Sequence, residues 1–279
     1  MSLFSAFRYD GKRALVVGGA SGMGAAVAEL VQDAGADVTV MDFADVKLKG
    51  AKAIHINLGE QASIDTALQE LGDEPIDALF SCAGVADGTP NIEKINYIGH
   101  RYMIDSFMAR GVLRRGSTIG FISSAAGLGW EANLAELNQY LDITDFEAAS
   151  QWAKDRGKAD YYNSKQAICA YVAREAMNFL KHGIRINAIC PGPTDTPLAQ
   201  ANKEMWLGFG ADYREAVGVE AATPLEQAYP LVFLCSDAAA GVNGITMITD
   251  AGFVGTGIAK VLPSATEAVG FLRGDYGAL

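Results

Sequence analysis

The chain has 279 residues, 50% of them hydrophobic, and a net charge of −11. That is enough apolar material for one large core. The acidic balance excludes partners that need basic patches, so neither nucleic acid nor an anionic membrane is expected.

Arg13 to Val17, short and β-branched, predicts the first strand. It runs into Gly18-Gly19-Ala20-Ser21-Gly22-Met23-Gly24, and Ala25 to Ala34 then has apolar residues at helical spacing, with Gly35 as the stop. Asp37 to Met41 predicts a second strand, ending at Asp42, and Ala51 to Ile56 a third. Ser63 is the expected cap of a helix through Leu71. Ile76 to Phe80 predicts the fourth strand, followed by Ser81-Cys82-Ala83-Gly84. Ile92 to Arg110 predicts a long helix carrying Asn96. Ser117 to Ile122 predicts the fifth strand, ending in Ser123-Ser124.

Then the rhythm breaks. Leu134 to Leu137 and Phe146 to Ala153 predict short helices and no strand. A helix from the Tyr161 region to Lys181 follows, then a sixth strand at Ile184 to Ile189 and the turn Cys190-Pro191-Gly192-Pro193-Thr194-Asp195-Thr196-Pro197. Leu198 to Ala222 has the composition of a mobile segment. Pro224 to Cys235 predicts a helix and Ile245 to Thr249 a seventh strand, with a tail from Asp250. Strands alternating with helices predict a doubly wound, Rossmann-type α/β fold. Its parallel sheet has about seven strands, with helices on both faces and a helical insertion. Residues 1–279 are expected to form a single domain.

The turn from Gly18 through Ser21, Gly22, Met23 and Gly24 lies between a predicted strand and helix. Glycines there let the backbone turn sharply and approach a pyrophosphate at the helix N-terminus. Asp42, ending the next strand, can accept both ribose hydroxyls of an adenosine and repel a 2′-phosphate. No basic residue adjoins it or precedes Gly22, so NAD is favoured over NADP.

Tyr161 and Lys165, four apart, share a helix face. An ammonium beside a phenol favours the phenolate, which makes Tyr161 a candidate acid/base. Tyr162 is a neighbouring candidate, but Gln166 at its corresponding position carries no charge. The cysteines, Cys82, Cys169, Cys190 and Cys235, form no CxxC pair, and His55, His100 and His182 do not cluster. No metal site is expected, and reduced thiols fit a cytoplasmic protein. No run reaches the roughly 18 apolar residues of a membrane span, and Met1 to Asp10 lacks a secretory pattern.

Taken together, these motifs resemble the short-chain dehydrogenases/reductases. The matching stretches are Gly18-x-x-x-Gly22-x-Gly24, Ala83-Gly84, Asn96, Ser124, Tyr161-x-x-x-Lys165, Pro191-Gly192 with Thr196, and Thr249-Asp250-Ala251-Gly252. They fall in family order over nearly the whole chain. Val17 replaces the usual opening Thr and Cys82 a common Asn. Asn57-Leu58 stands where an Asp and an aliphatic residue flank the adenine. In most members the serine and tyrosine lie much closer in sequence than Ser124 and Tyr161 do. The added stretch, about 130–156, resembles the bacterial 3α-hydroxysteroid dehydrogenase/carbonyl reductase subgroup, and coniferyl alcohol dehydrogenases look similar.

The resemblance implies roles. Tyr161 would exchange a proton with the substrate oxygen, and Ser124 rather than Ser123 would hydrogen-bond that oxygen. Lys165 would stabilise the phenolate and hold the nicotinamide ribose. Asn96 would fix a relay water. Thr194 amides and the Thr196 hydroxyl would orient the carboxamide and pyrophosphate. Residues 197–222, with Trp206, Phe209 and Tyr213, would form a lid over an apolar substrate. The tail, 253–279, would fold over the cleft or make a subunit contact. The expected activity is reversible oxidation of a hydrophobic alcohol to its carbonyl, the alcohol being a steroid, terpenoid or aromatic secondary alcohol. The alternatives are an aromatic primary alcohol as substrate, or a silent NAD(H)-binding regulator. A homodimer is expected, with a homotetramer as the alternative.

Overall fold

A computed structural model describes residues 2–274 of the chain; the last residues of the predicted tail, 275–279, lie outside the described residues. The first half alternates as expected: β1 (Arg13–Val17), α1 (Gly22–Asp33), β2 (Asp37–Asp42), β3 (Lys52–His55), α2 (Gln61–Leu71) and β4 (Ile76–Ser81). A π-helical turn, Lys94–Ile98, leads into α3 (Gly99–Arg110), and β5 (Leu113–Ile122) follows. Next come α4 (Leu134–Leu141), α5 (Phe146–Asp155), α6 (Tyr161–Lys181) and β6 (Arg185–Pro191). The chain continues through α7 (Pro197–Ala201), α8 (Lys203–Trp206), α9 (Ala211–Val217), α10 (Pro224–Cys235), β7 (Thr246–Thr249), α11 (Phe253–Ile258) and α12 (Pro263–Leu272).

All strand pairs are parallel, in the order β3-β2-β1-β4-β5-β6-β7. Alternate residues feed opposite faces. Leu15, Val17, Leu79 and Phe121 join one core with α2, α3 and α6, while Ala14, Val16, Ala78 and Phe80 join another with α1 and α10. Both faces of the central strands are therefore dry, as a parallel sheet requires. The strand order reverses between β1 and β4, and such a reversal opens a crevice at the carboxyl ends of the strands.

Three expectations change. The α2 helix starts before Ser63, whose hydroxyl accepts a hydrogen bond from Asn57 N at 2.9 Å instead of capping the helix. The segment expected to be mobile folds into α7, α8 and α9. The tail beyond β7 holds α11 and α12, whose Phe253, Val254, Ala265, Val269 and Leu272 share a third core with Ala125 and Tyr213. For the tail the partners are distant in sequence, so no local pattern announced its helices.

Candidate active site

The two crossovers meet at Gly18. Its φ is +86°, and a Cβ built there would lie 2.3 Å from Ala83 N. A Cβ on Gly24 would lie 2.0 Å from Gly18 O. Only bare backbone fits at either point. The cap position of α1, Ser21, makes no side-chain capping bond, and the first turn holds no acid. By contrast, Asp160 caps α6 and a Thr223–Glu226 capping box closes α10. The first-turn amides of α1 are thus left to an outside anion.

These amides face a cleft of about 460 Å³. The predicted Gly18, Ser21, Gly22, Met23 and Gly24 line one side of it, Asp42, Asn57 and Leu58 the next, and Ala83, Gly84 and Thr196 the rest. Asp42 holds the turn in shape: Oδ2 accepts from Ala20 N at 2.8 Å and Oδ1 from Ala44 N at 2.9 Å. Each oxygen keeps a lone pair for a ribose hydroxyl. Asn57 is more committed than expected, since Oδ1 accepts from Gly59 N at 3.0 Å and Nδ2 donates to Glu60 at 2.9 Å. An anion-ready helix end and a strand-end carboxylate along one cleft fit a dinucleotide. His100 supports the wall from behind, with Nε2 3.1 Å from Ala83 O and its ring edge-on to Phe121. Burial pulls its pKa down to about 4, so it stays neutral.

The Tyr161–Lys165 pair opens α6. Asp87, 74 positions earlier, accepts a hydrogen bond from Tyr161 N at 2.7 Å. Lys165 is buried; its Nζ donates to Ile122 O at 3.0 Å and lies 5.5 Å from the Tyr161 ring centre. Burial lowers the Lys165 pKa to about 8. Burial also pushes the Tyr161 phenol up to about 12, while a hydrogen bond with the Ser124 side chain pulls it back. The lysine alone therefore does not set the phenol, because burial opposes its charge. Ser123 turns away, donating to Lys165 O at 2.9 Å, so Ser124 is the serine on the phenol side. Asn96 is fully buried: Oδ1 accepts from Val85 N at 2.8 Å, and Nδ2 donates to Val85 O and to Ser164 Oγ, each at 3.1 Å. A Cβ on Gly84 would lie 3.3 Å from Lys165 Nζ and 3.5 Å from Asn96 Oδ1, which puts both groups on that turn.

Pro191 ends β6, and Gly192 and Thr194 lie on the turn that follows it. Pro191 pairs with Thr249, and Gly192 packs so tightly that a Cβ would meet Asp250 Cβ at 2.8 Å. The Thr194 hydroxyl donates to Gly192 O at 3.0 Å. Thr196 does reach the cleft, while its Oγ1 also accepts from Ala199 N at 3.1 Å and caps α7.

Sequence reasoning missed two features: Asp87 anchors Tyr161, and the helix around Asn96 has π spacing. Neither has a local signature. Trp206, expected in the lid, lies on α8 and covers Tyr161. The cover is tied down. Arg214 donates to Phe209 O and Leu207 O, Tyr213 Oη donates to Ala251 O at 2.9 Å, and Phe209 packs on Phe253 at 5.1 Å. Tyr162 faces the tail, its Oη donating to Leu272 O at 3.2 Å, and so is not a rival acid.

Comparison with known proteins agrees with this geometry. Residues 143–254 match the family model described as enoyl-(acyl carrier protein) reductase. An NAD-dependent glycerol dehydrogenase of Listeria innocua is 30% identical over 262 residues, spanning 88% of this chain and 95% of that protein. A coniferyl-alcohol dehydrogenase of Pseudomonas sp. is 28% identical over 255 residues, spanning 88% of this chain and 97% of that protein. The 3-alpha-hydroxysteroid dehydrogenase from Pseudomonas sp. B-0831, solved with NADH, shares the fold with a TM-score of 0.71 at 24% identity, over 90% of this chain and 99% of that one. The identity and the span of these matches leave one assignment: the chain belongs to the short-chain dehydrogenase/reductase family of enzymes.

Proposed function

We propose that the protein is an NAD-dependent dehydrogenase that interconverts a hydrophobic secondary alcohol and its ketone. One observation supports this reading: Tyr161 lies beside Ser124 and Lys165, and Lys165 and Asn96 both pack on Gly84, which lines the cleft that fits a dinucleotide. A bound nicotinamide supplies or accepts the hydride. Ser124 hydrogen-bonds the substrate oxygen as charge grows on it. Tyr161 gives that oxygen a proton, or takes one from the alcohol. Lys165 supplies positive charge beside the phenol and holds the nicotinamide ribose. Asn96 positions a water that connects Lys165 with solvent. Thr194 and Thr196 orient the carboxamide and pyrophosphate from the end of β6.

NAD is supported by Asp42, whose carboxylate opposes a 2′-phosphate, and by the NAD-dependent relative. An apolar substrate is supported by Trp206 over Tyr161. A primary aromatic alcohol is the second reading, favoured by the coniferyl-alcohol relative. Four free cysteines are consistent with a cytoplasmic setting. We also propose a homodimer, with a homotetramer as the alternative; the mass in solution tests this.

The test is NADH absorbance against a panel of steroid, terpenoid and aromatic ketones and alcohols. Turnover that falls at least about a hundredfold in Tyr161→Phe, with NADH binding kept, is expected. Tight NADH binding without turnover on any compound would favour a silent regulator.

A further inference from the structure

The inserted helix α5 lies against the segment that carries Asn96. Ser150 Oγ donates to Glu93 Oε1 at 2.6 Å. Lys154 Nζ lies 3.3 Å from the same carboxylate and 3.3 Å from Asn91 Oδ1. Glu147 accepts twice from Lys94 Nζ, at 2.8 and 2.7 Å. Glu93 is only 2% exposed and Lys94 7%. Buried charges of this kind need partners, and these come from the insertion. Asn91, held by Lys154, also lines the cofactor cleft and has φ +59°.

The next residues form the π turn, Lys94–Ile98. A π turn contains one residue more than the α register. In an α-helix one residue is about 100° of rotation. Downstream, Gly99 presses on Leu58, where a Cβ would lie 2.5 Å from Leu58 O. The segment is thus pinned at three places: by α5 at Glu93 and Lys94, by Val85 and Ser164 at Asn96, and by Leu58 at Gly99. If the turn relaxed to α spacing, one of these sets would rotate out of place.

We propose that α5 is a positioning element for the proton path. Glu147, Ser150 and Lys154 hold Glu93 and Lys94 so that the turn keeps π spacing and Asn96 stays between Val85, Ser164 and the Gly84 turn against which Lys165 lies. This rests on the dehydrogenase reading above, in which the substrate proton leaves through Lys165. The insertion thereby does for the helix what close packing alone does elsewhere in the sheet layers: it fixes a register.

The test uses Glu147→Gln and Ser150→Ala in the full chain, with Asn96→Ala and Tyr161→Phe as references. Glu147 has 69% of its side chain exposed, so Glu147→Gln folds even if the buried Ser150 variant does not. Expected is a fall in kcat of about ten- to a hundredfold, the scale of a small misplacement of a catalytic group. KM for NADH and substrate should stay within about twofold, because the glycine turn and Asp42 are untouched and Lys154 still holds Asn91. The solvent deuterium isotope effect on kcat should rise toward that of Asn96→Ala, since proton movement becomes limiting. Folded variants with wild-type kcat and isotope effect would overturn the proposal. So would a kcat that falls only with the folded fraction while the isotope effect stays put, since that is mere support. Retained turnover in Tyr161→Phe sinks the dehydrogenase reading itself, and this one with it; loss there with no effect in the α5 variants sinks this one alone.

Discussion

Trp206 lies over Tyr161, with ring centres 4.9 Å apart and planes inclined at 43°. The phenol is therefore covered from the α8 side, and a substrate reaching it must share space with the indole. Trp206→Ala is expected to raise KM for bulky ketones roughly five- to tenfold, about the worth of one aromatic contact. KM for NADH should not move. Steady-state kinetics with a large and a small ketone check this; an equal change for both would mean that Trp206 does not read substrate size.

Asp42 has two tasks that a single substitution can separate. Its oxygens hold Ala20 N and Ala44 N, and its charge would face the adenosine ribose. Asp42→Asn keeps an acceptor for one amide and removes the charge. The ratio of kcat/KM with NADP to that with NAD is expected to rise about tenfold. An unchanged ratio would place cofactor choice elsewhere on the cleft wall.

The pH dependence follows from two shifts of opposite kind. Burial lowers Lys165 to about 8, so its positive charge is lost as pH rises through that value. Burial raises Tyr161 to about 12, so the phenol keeps its proton through neutral pH. Ketone reduction, which needs the protonated phenol, should be level near neutrality and decline above about 8 as Lys165 discharges. Alcohol oxidation, which needs phenolate, should instead rise with pH from neutrality. Profiles of kcat/KM in the two directions test the signs.

Two glycines with nearly the same φ should respond very differently to Ala. Gly18 has φ +86° and its Cβ would strike Ala83 N at 2.3 Å, whereas Gly72 has φ +84° and nothing within 4 Å. Gly72→Ala should cost about 1 kcal/mol from the backbone alone and leave NADH binding intact. Gly18→Ala should cost more and abolish binding, since the crossovers must separate. Thermal melts and NADH titration of both variants distinguish strain from collision.

Much of the fold was legible because its signals are local. Strand runs such as Arg13–Val17 and Asp37–Asp42 alternate or stay apolar over their own length, and Gly18 to Gly24 announces its turn by residue type. The start of α2 was misplaced at Ser63 because its hydroxyl is used by Asn57, across a loop. The tail was unreadable as helices because its apolar face exists only against Ala125, Leu128 and Tyr213.

The sequence by itself determined the chemistry on offer: a phenol and an ammonium one helical turn apart, a serine at a strand end, and a carboxylate after the second strand. Spacing and residue type suffice for that, since each motif sits within one element or one turn. Only the tertiary structure decided how those groups are tuned and reached. Burial overrides the simple ammonium–phenol argument, Asp87 and Trp206 come to Tyr161 from distant segments, and α5 fixes the π turn at Asn96. Desolvation, covering and register depend on what packs from across the molecule, which no local stretch of residues encodes.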